Sequence, residues 1–169
     1  LPKNAKNTLG GWVTSCGYYF HRPDGQEEKS VGGSHATPII DHVQTPNTKI
    51  AIVALGSNLI SCSPGPPLPS MIWGLPQAEE LAKRITDSGD KCVWIGPPFM
   101  TGSSKCGTAL QMDVLNRVLK NAVEGCTYID SVAITKGYKN ALAGDGVHYN
   151  AKAAADWADA VFGQIKTLK

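Results

Sequence analysis

The chain has 169 residues, the length of one domain, with 42% apolar and 18% charged residues and a net charge of +2. The apolar share supports a core and excludes a disordered chain, and the longest aliphatic run, Ile50 to Leu55, falls far short of the ~20 residues that a membrane-spanning helix needs. No cluster of Lys and Arg is present, so the phosphate-neutralising footprint of a nucleic-acid binder is missing.

Residues 1–47 are turn-rich and irregular. Within them Trp12-Val13-Thr14 predicts a short strand, and Tyr18-Tyr19-Phe20 predicts another, closed by the turn His21-Arg22-Pro23-Asp24-Gly25. Thr37-Pro38 followed by Ile39, Ile40 and Val43 predicts a short helix with Thr37 as N-cap. An α/β core follows over 48–169. Lys49 to Leu55 is apolar without alternation, which suits a strand of a parallel sheet covered on both faces. After a proline-rich loop, Pro76 opens a predicted helix with Ala78, Leu81, Ala82 and Ile85 on one face, closed by Ser88-Gly89. Cys92 to Ile95 reads as a second strand, stopped by Gly96-Pro97-Pro98. A helix over 108–124 carries the stripe Leu110, Val114, Val118 and Ala122, and Gly125 ends it. Tyr128 to Ile134 reads as a third strand. Asn150 then caps a last helix with Ala154, Trp157, Val161, Ile165 and Leu168 on its buried side. Such alternation predicts a mainly parallel sheet between helices, with its chemistry at the carboxyl ends of the strands.

Three stretches fall at those ends: Gly56-Ser57-Asn58, Gly96-Pro97-Pro98 and the loop holding Asp145-Gly146-Val147-His148. The spacing of Asp145 and His148 lets a carboxylate accept from one imidazole nitrogen and leaves the other free to act as a base. The same spacing also arises from an Asp-Gly turn followed by a surface His. Asn58, two residues beyond the first core strand, is placed to donate its amide to a developing oxyanion, or to serve as a polar turn residue. Trp94 and Trp157 are expected in the core. Trp12 and Trp73 fall in expected loops, where an aromatic ring either caps the core edge or stacks on a sugar. His35 and His42 have no carboxylate at a telling spacing, and no C-x-x-C or H-x-x-x-H string suggests a metal.

Over residues 36–169 the combination resembles the SGNH/GDSL hydrolase superfamily. Gly56-Ser57-Asn58 matches its third block and Asp145-Gly146-Val147-His148 its fifth. Between them, Val93 to Pro98 looks like the family's fourth strand and Tyr128 to Ser131 like its fifth. The resemblance implies a flavodoxin-like three-layer sandwich and a serine-type ester hydrolase, with His148 as general base, Asp145 as its orienting partner and Asn58 as oxyanion donor. It implies no metal or organic cofactor. The implied substrate is a small acyl ester or an acylated carbohydrate. The competing class is a non-catalytic carbohydrate- or cell-wall-binding module on the same scaffold.

The family's first block, a strand ending in Gly-Asp-Ser that carries the nucleophile, has no counterpart in this sequence. Gly32-Gly33-Ser34-His35 is the nearest string and makes Ser34 the in-chain candidate, with Ser15 in Thr14-Ser15-Cys16-Gly17 as the other. Three arrangements stay open: a chain whose nucleophile lies on an upstream segment of the same precursor, a single complete domain that uses Ser34, and a scaffold without esterase chemistry.

Five cysteines stand at 16, 62, 92, 106 and 126, three of them in expected loops, a pattern that fits a secreted or extracytoplasmic protein. Cys92 and Cys126 both begin strands, and Cys62 and Cys106 both follow strand ends. The expected disulfides are Cys92–Cys126 and Cys62–Cys106, with Cys16–Cys62 as the alternative. A helix about 25 Å long at ~1.5 Å per residue keeps Cys106 from Cys126.

Overall fold

The structure, a computed structural model, describes residues 20–21, 27–28, 50–59, 68–101, 109–138 and 140–168. Strands β1 (Phe20–His21) and β2 (Glu27–Glu28) form an antiparallel pair. Then follow β3 (Ile50–Ala54), α1 (Leu68–Asp87), β4 (Lys91–Ile95), α2 (Ala109–Ala122), β5 (Thr127–Ile129), α3 (Ser131–Thr135) and α4 (Ala151–Lys166). Strands β3, β4 and β5 make a parallel sheet in that spatial order, so the protein is α/β. Of the expected strand Tyr18-Tyr19-Phe20 the structure describes Phe20, which lies in β1 together with His21, a residue expected in the closing turn. The expected strand at Trp12, the expected helix from Thr37, and residues Trp12, Ser15, Tyr18, Tyr19, Ser34, His35, His42, Cys16, Cys62 and Cys106 lie outside the described residues.

Side-chain alternation along the strands divides the core in two. On one face Ala51, Val53, Cys92 and Trp94 pack with Ala78, Leu81, Ala82 and Ile85 of α1 and with Met112, Leu115 and Leu119 of α2. On the other face Val93, Ile95 and Ile129 pack with Val161 of α4, and Trp157, Ile165 and Leu168 close over them. Four of the five residues expected on the buried side of the last helix, Trp157, Val161, Ile165 and Leu168, are therefore the packed ones, while at its start Ala153 is buried rather than Ala154. Trp94 is fully buried, and its Nε1 donates to the Leu55 carbonyl at 3.1 Å, which satisfies the one polar atom the indole carries.

Four expectations need correction. First, β3 is parallel but covered on one face only: Ile50 and Ile52 are 45% and 50% exposed. Register puts Ile52 beside Val93, yet α4 packs over β4 and β5 and does not reach β3. Second, the helix after the proline-rich loop does not open at Pro76. It starts at Leu68 and contains both Pro76 and Trp73, which was expected in a loop. Pro69 falls in its first turn, where a missing N–H costs nothing, while Pro76 leaves one carbonyl without its donor. Third, the stripe on α2 is turned: Leu110 is 72% and Val114 37% exposed, while Met112, Leu115 and Leu119 are fully buried. Two overlapping apolar stripes run along this helix, and the one with the larger side chains removes more apolar surface from water. Fourth, the third strand ends at Ile129 rather than Ile134. Asp130 Oδ1 accepts from the Ala133 N–H at 2.9 Å and caps α3. Ser131 is buried, and its Oγ accepts from Trp157 Nε1 at 3.0 Å.

Cys92 and Cys126 are joined by a disulfide, as their positions at the amino ends of β4 and β5 predict, with Cα atoms 4.5 Å apart. The other expected pair lies outside the described residues. Among the described residues no helix is long and apolar enough to cross a membrane.

Candidate functional site at the carboxyl end of the sheet

Beyond β3 the chain must turn sharply. Gly56 takes φ = +130°, a conformation that side-chain-bearing residues rarely adopt, and a Cβ there would meet Leu119 Cδ2 at 2.7 Å and Pro97 Cδ at 3.4 Å. Glycine thus lets the end of β3 lie against the segment that leaves β4. Residues Ser57–Leu59 form one 3-10 turn, closed by the Leu59 N–H donating to the Gly56 carbonyl at 3.0 Å and anchored by the buried Leu59 side chain. Asn58 sits in this turn, so its backbone is placed at the carboxyl end of β3.

The Asp145–His148 loop is the tip of a small hairpin. Leu142 pairs with Tyr149, the Ala143 N–H donates to the His148 carbonyl at 2.6 Å, and the Asn150 N–H donates to the Ala141 carbonyl at 2.8 Å. Gly146, at φ = +66°, turns the tip. Its carbonyl accepts from the Thr101 N–H at 3.1 Å, which ties the tip to the segment leaving the carboxyl end of β4. Val147 packs against the core that holds Leu59 and Met100. Asn150 ends the hairpin and starts α4, its side chain accepting from the Ala153 N–H at 3.0 Å.

At the tip, Asp145 has two tasks. Its Oδ1 accepts from the backbone N–H groups of Val147 and His148, each at 2.9 Å, which folds the turn. Its Oδ2 accepts from His148 Nδ1 at 2.5 Å. The His148 ring, then the His148 amide, then the Val147 amide hold the Asp145 carboxyl well below the usual carboxylate range, so it is an anion at neutral pH. An anionic partner fixes Nδ1 as the donor, and a neutral ring then carries its lone pair on Nε2. The His148 side chain is 80% exposed and that of Asp145 48%, so Nε2 is open to an incoming group.

The structure thus joins two of the sequence-derived site residues, Asp145 and His148, and sets the backbone of a third, Asn58, at the carboxyl end of the sheet. Ser34 lies outside the described residues. Among the described residues no three His, Cys, Asp or Glu side chains gather in a metal-binding cluster.

A cleft of about 230 Å3 opens beside the hairpin, and the sequence reading did not anticipate it. Its walls include Phe99, Thr101, Tyr138, Asn140, Leu142 and Tyr149. Tyr149 is stacked on Trp157 on one side and meets Tyr138 edge-on at 83°, with 6.5 Å between ring centroids. The signal in the sequence was a tyrosine on either side of the D-x-x-H string, at 138 and 149. In comparisons with known proteins, no family model matches the chain and no curated protein is matched by it.

Proposed function

We propose that the chain is a serine-type carboxylic ester hydrolase on a three-layer SGNH-type sandwich, acting on a small acyl ester or an acylated carbohydrate outside the cytoplasm. The observation that carries the reading is the Asp145–His148 hydrogen bond, which leaves Nε2 open on a hairpin tied to the carboxyl end of a parallel sheet. The Cys92–Cys126 disulfide supports an exported chain, because such bonds persist in oxidising compartments.

In this mechanism His148 Nε2 takes the proton of a serine hydroxyl as its oxygen bonds to the acyl carbon. The Asn58 amide donates to the carbonyl oxygen as it gains charge. Collapse of the tetrahedral intermediate breaks the ester bond, and the alcohol leaves with the proton from His148. Water then repeats the sequence on the acyl-enzyme and releases the acid. The Asp145 anion steadies the imidazolium formed in each half. Ser34 is the proposed nucleophile.

A second reading, a non-catalytic carbohydrate- or wall-binding module, draws on the tyrosine-lined cleft. A fluorophosphonate probe, which phosphonylates activated serines, separates the two. Labelling mapped to Ser34 is the expected result. Labelling at another serine would keep the esterase and remove Ser34. Neither labelling nor ester turnover, together with glycan binding, would overturn the esterase in favour of the module.

A further inference from the structure

The cleft beside the hairpin has a lining with a distinct chemistry. Its lining among the described residues includes three aromatic residues (Phe99, Tyr138 and Tyr149), an asparagine (Asn140) and an exposed threonine (Thr101), and none of the described lining residues is charged. Burial pushes the Tyr149 phenol above its ordinary value, so this phenol stays neutral at physiological pH. Among the described lining residues an anionic or cationic ligand finds no counter-charge. A flat, neutral ligand rich in hydroxyls finds ring faces for its C–H groups and an amide and hydroxyl for its oxygens.

The walls are also fixed in advance. The Tyr149 hydroxyl donates to the Phe99 carbonyl at 2.5 Å, and the Phe99 N–H donates to Thr135 Oγ1 at 2.8 Å. Thr135, itself 1% exposed, donates onward to the Ser131 carbonyl at 2.6 Å. Asn140 holds φ = +51°, and its carbonyl accepts from Asn150 Nδ2 at 2.8 Å, so its backbone does not have to be ordered by a ligand. At about 230 Å3 the cleft lies below the roughly 300–1,000 Å3 of drug-sized pockets, which suits one ring rather than a chain of rings.

Position completes the argument. Tyr149 is the residue after His148, and Thr101, which lines the cleft, bonds the carbonyl of Gly146 between Asp145 and His148. We propose that this cleft is a subsite for one neutral sugar ring, holding the carbohydrate part of an acylated substrate next to the His148 base. Its part in catalysis rests on the esterase reading; its affinity for a sugar does not.

Titration calorimetry of the full chain with xylohexaose, mannohexaose, chitohexaose and, as an anionic control, hexagalacturonate tests it. Tyr138→Ala removes one ring. Asn140→Gly removes the carboxamide at a backbone angle that glycine adopts freely, so folding is retained. At least one neutral oligosaccharide should bind, and each variant should weaken it by about fivefold or more. Binding that neither variant weakens, preference for hexagalacturonate, or no binding of any oligosaccharide would overturn the subsite. Sugar binding sensitive to Tyr138 with no ester turnover would leave the subsite standing and remove the esterase.

Discussion

At the scale of single residues, Asp145 links local folding to chemistry. Its pKa is lower in the folded chain than its ordinary value of 3.8, because the folded state offers the anion three hydrogen bonds. The unfolded chain therefore takes up a proton first as pH falls. The stabilising contribution is fully present above the ordinary carboxylate range and is lost as pH falls below it through the folded value. Thermal unfolding between pH 7 and pH 3 should show this directly: Asp145→Asn should lose less of its melting temperature on acidification than the parent chain. An equal acid loss in both would show that this carboxylate does not feel the hydrogen bonds. Gly56 gives a second residue-scale prediction. Gly56→Ala places a methyl group 2.7 Å from Leu119 Cδ2 at φ = +130° and should destabilise the fold by about 1–3 kcal/mol in urea unfolding. A neutral substitution would mean that the end of β3 does not lie against Leu119.

At the scale of elements, the Cys92–Cys126 bridge joins the amino ends of neighbouring strands across a separation of 34 residues. Closing a loop of that length is worth about 3–4 kcal/mol in the chain-entropy description. The double variant Cys92→Ser, Cys126→Ser should lose stability of that order, and full retention of stability would contradict the bridge. The Asp130 cap on α3 is smaller: Asp130→Ala should cost about 1 kcal/mol by the same measurement. These elements also show what was readable beforehand. Strands β3 and β4 were legible because buried parallel strands are short apolar runs between breakers, and α4 because its stripe is single and its cap is Asn150. The end of β5 was not, because Val132 and Ile134 continue the β-branched character of the strand while one hydrogen bond from the Ala133 amide to Asp130 turns the chain into a helix. The face of α2 was ambiguous for a related reason: both of its stripes fall at helical spacing, and the larger side chains of Met112, Leu115 and Leu119 decide which is buried.

At the scale of the whole molecule, the described sheet gathers the Asn58 turn and the Asp145–His148 hairpin toward its carboxyl end and leaves Ile50 and Ile52 half-exposed. The turn with Asn58 and the segment leaving β4 meet at Gly56 and Pro97, and the hairpin with Asp145 and His148 hangs from Thr101. The dyad was legible because a D-x-x-H string closes its own turn, so the pairing needs no distant element. The cleft was not, because it joins Phe99, Tyr138 and Tyr149 from segments that only the fold brings together. The exposed Ile50 and Ile52 were also hidden, since an apolar run does not say which of its faces a helix will reach.

His148 as the base is the central proposal. The direct measurement is kcat/KM for p-nitrophenyl acetate in the full chain and in His148→Ala, with thermal unfolding of both. The His148 side chain is 80% exposed, so its truncation should leave the melting temperature nearly unchanged. Loss of a general base should lower turnover by about 100-fold or more. A folded His148→Ala variant that keeps the parent rate would contradict the account.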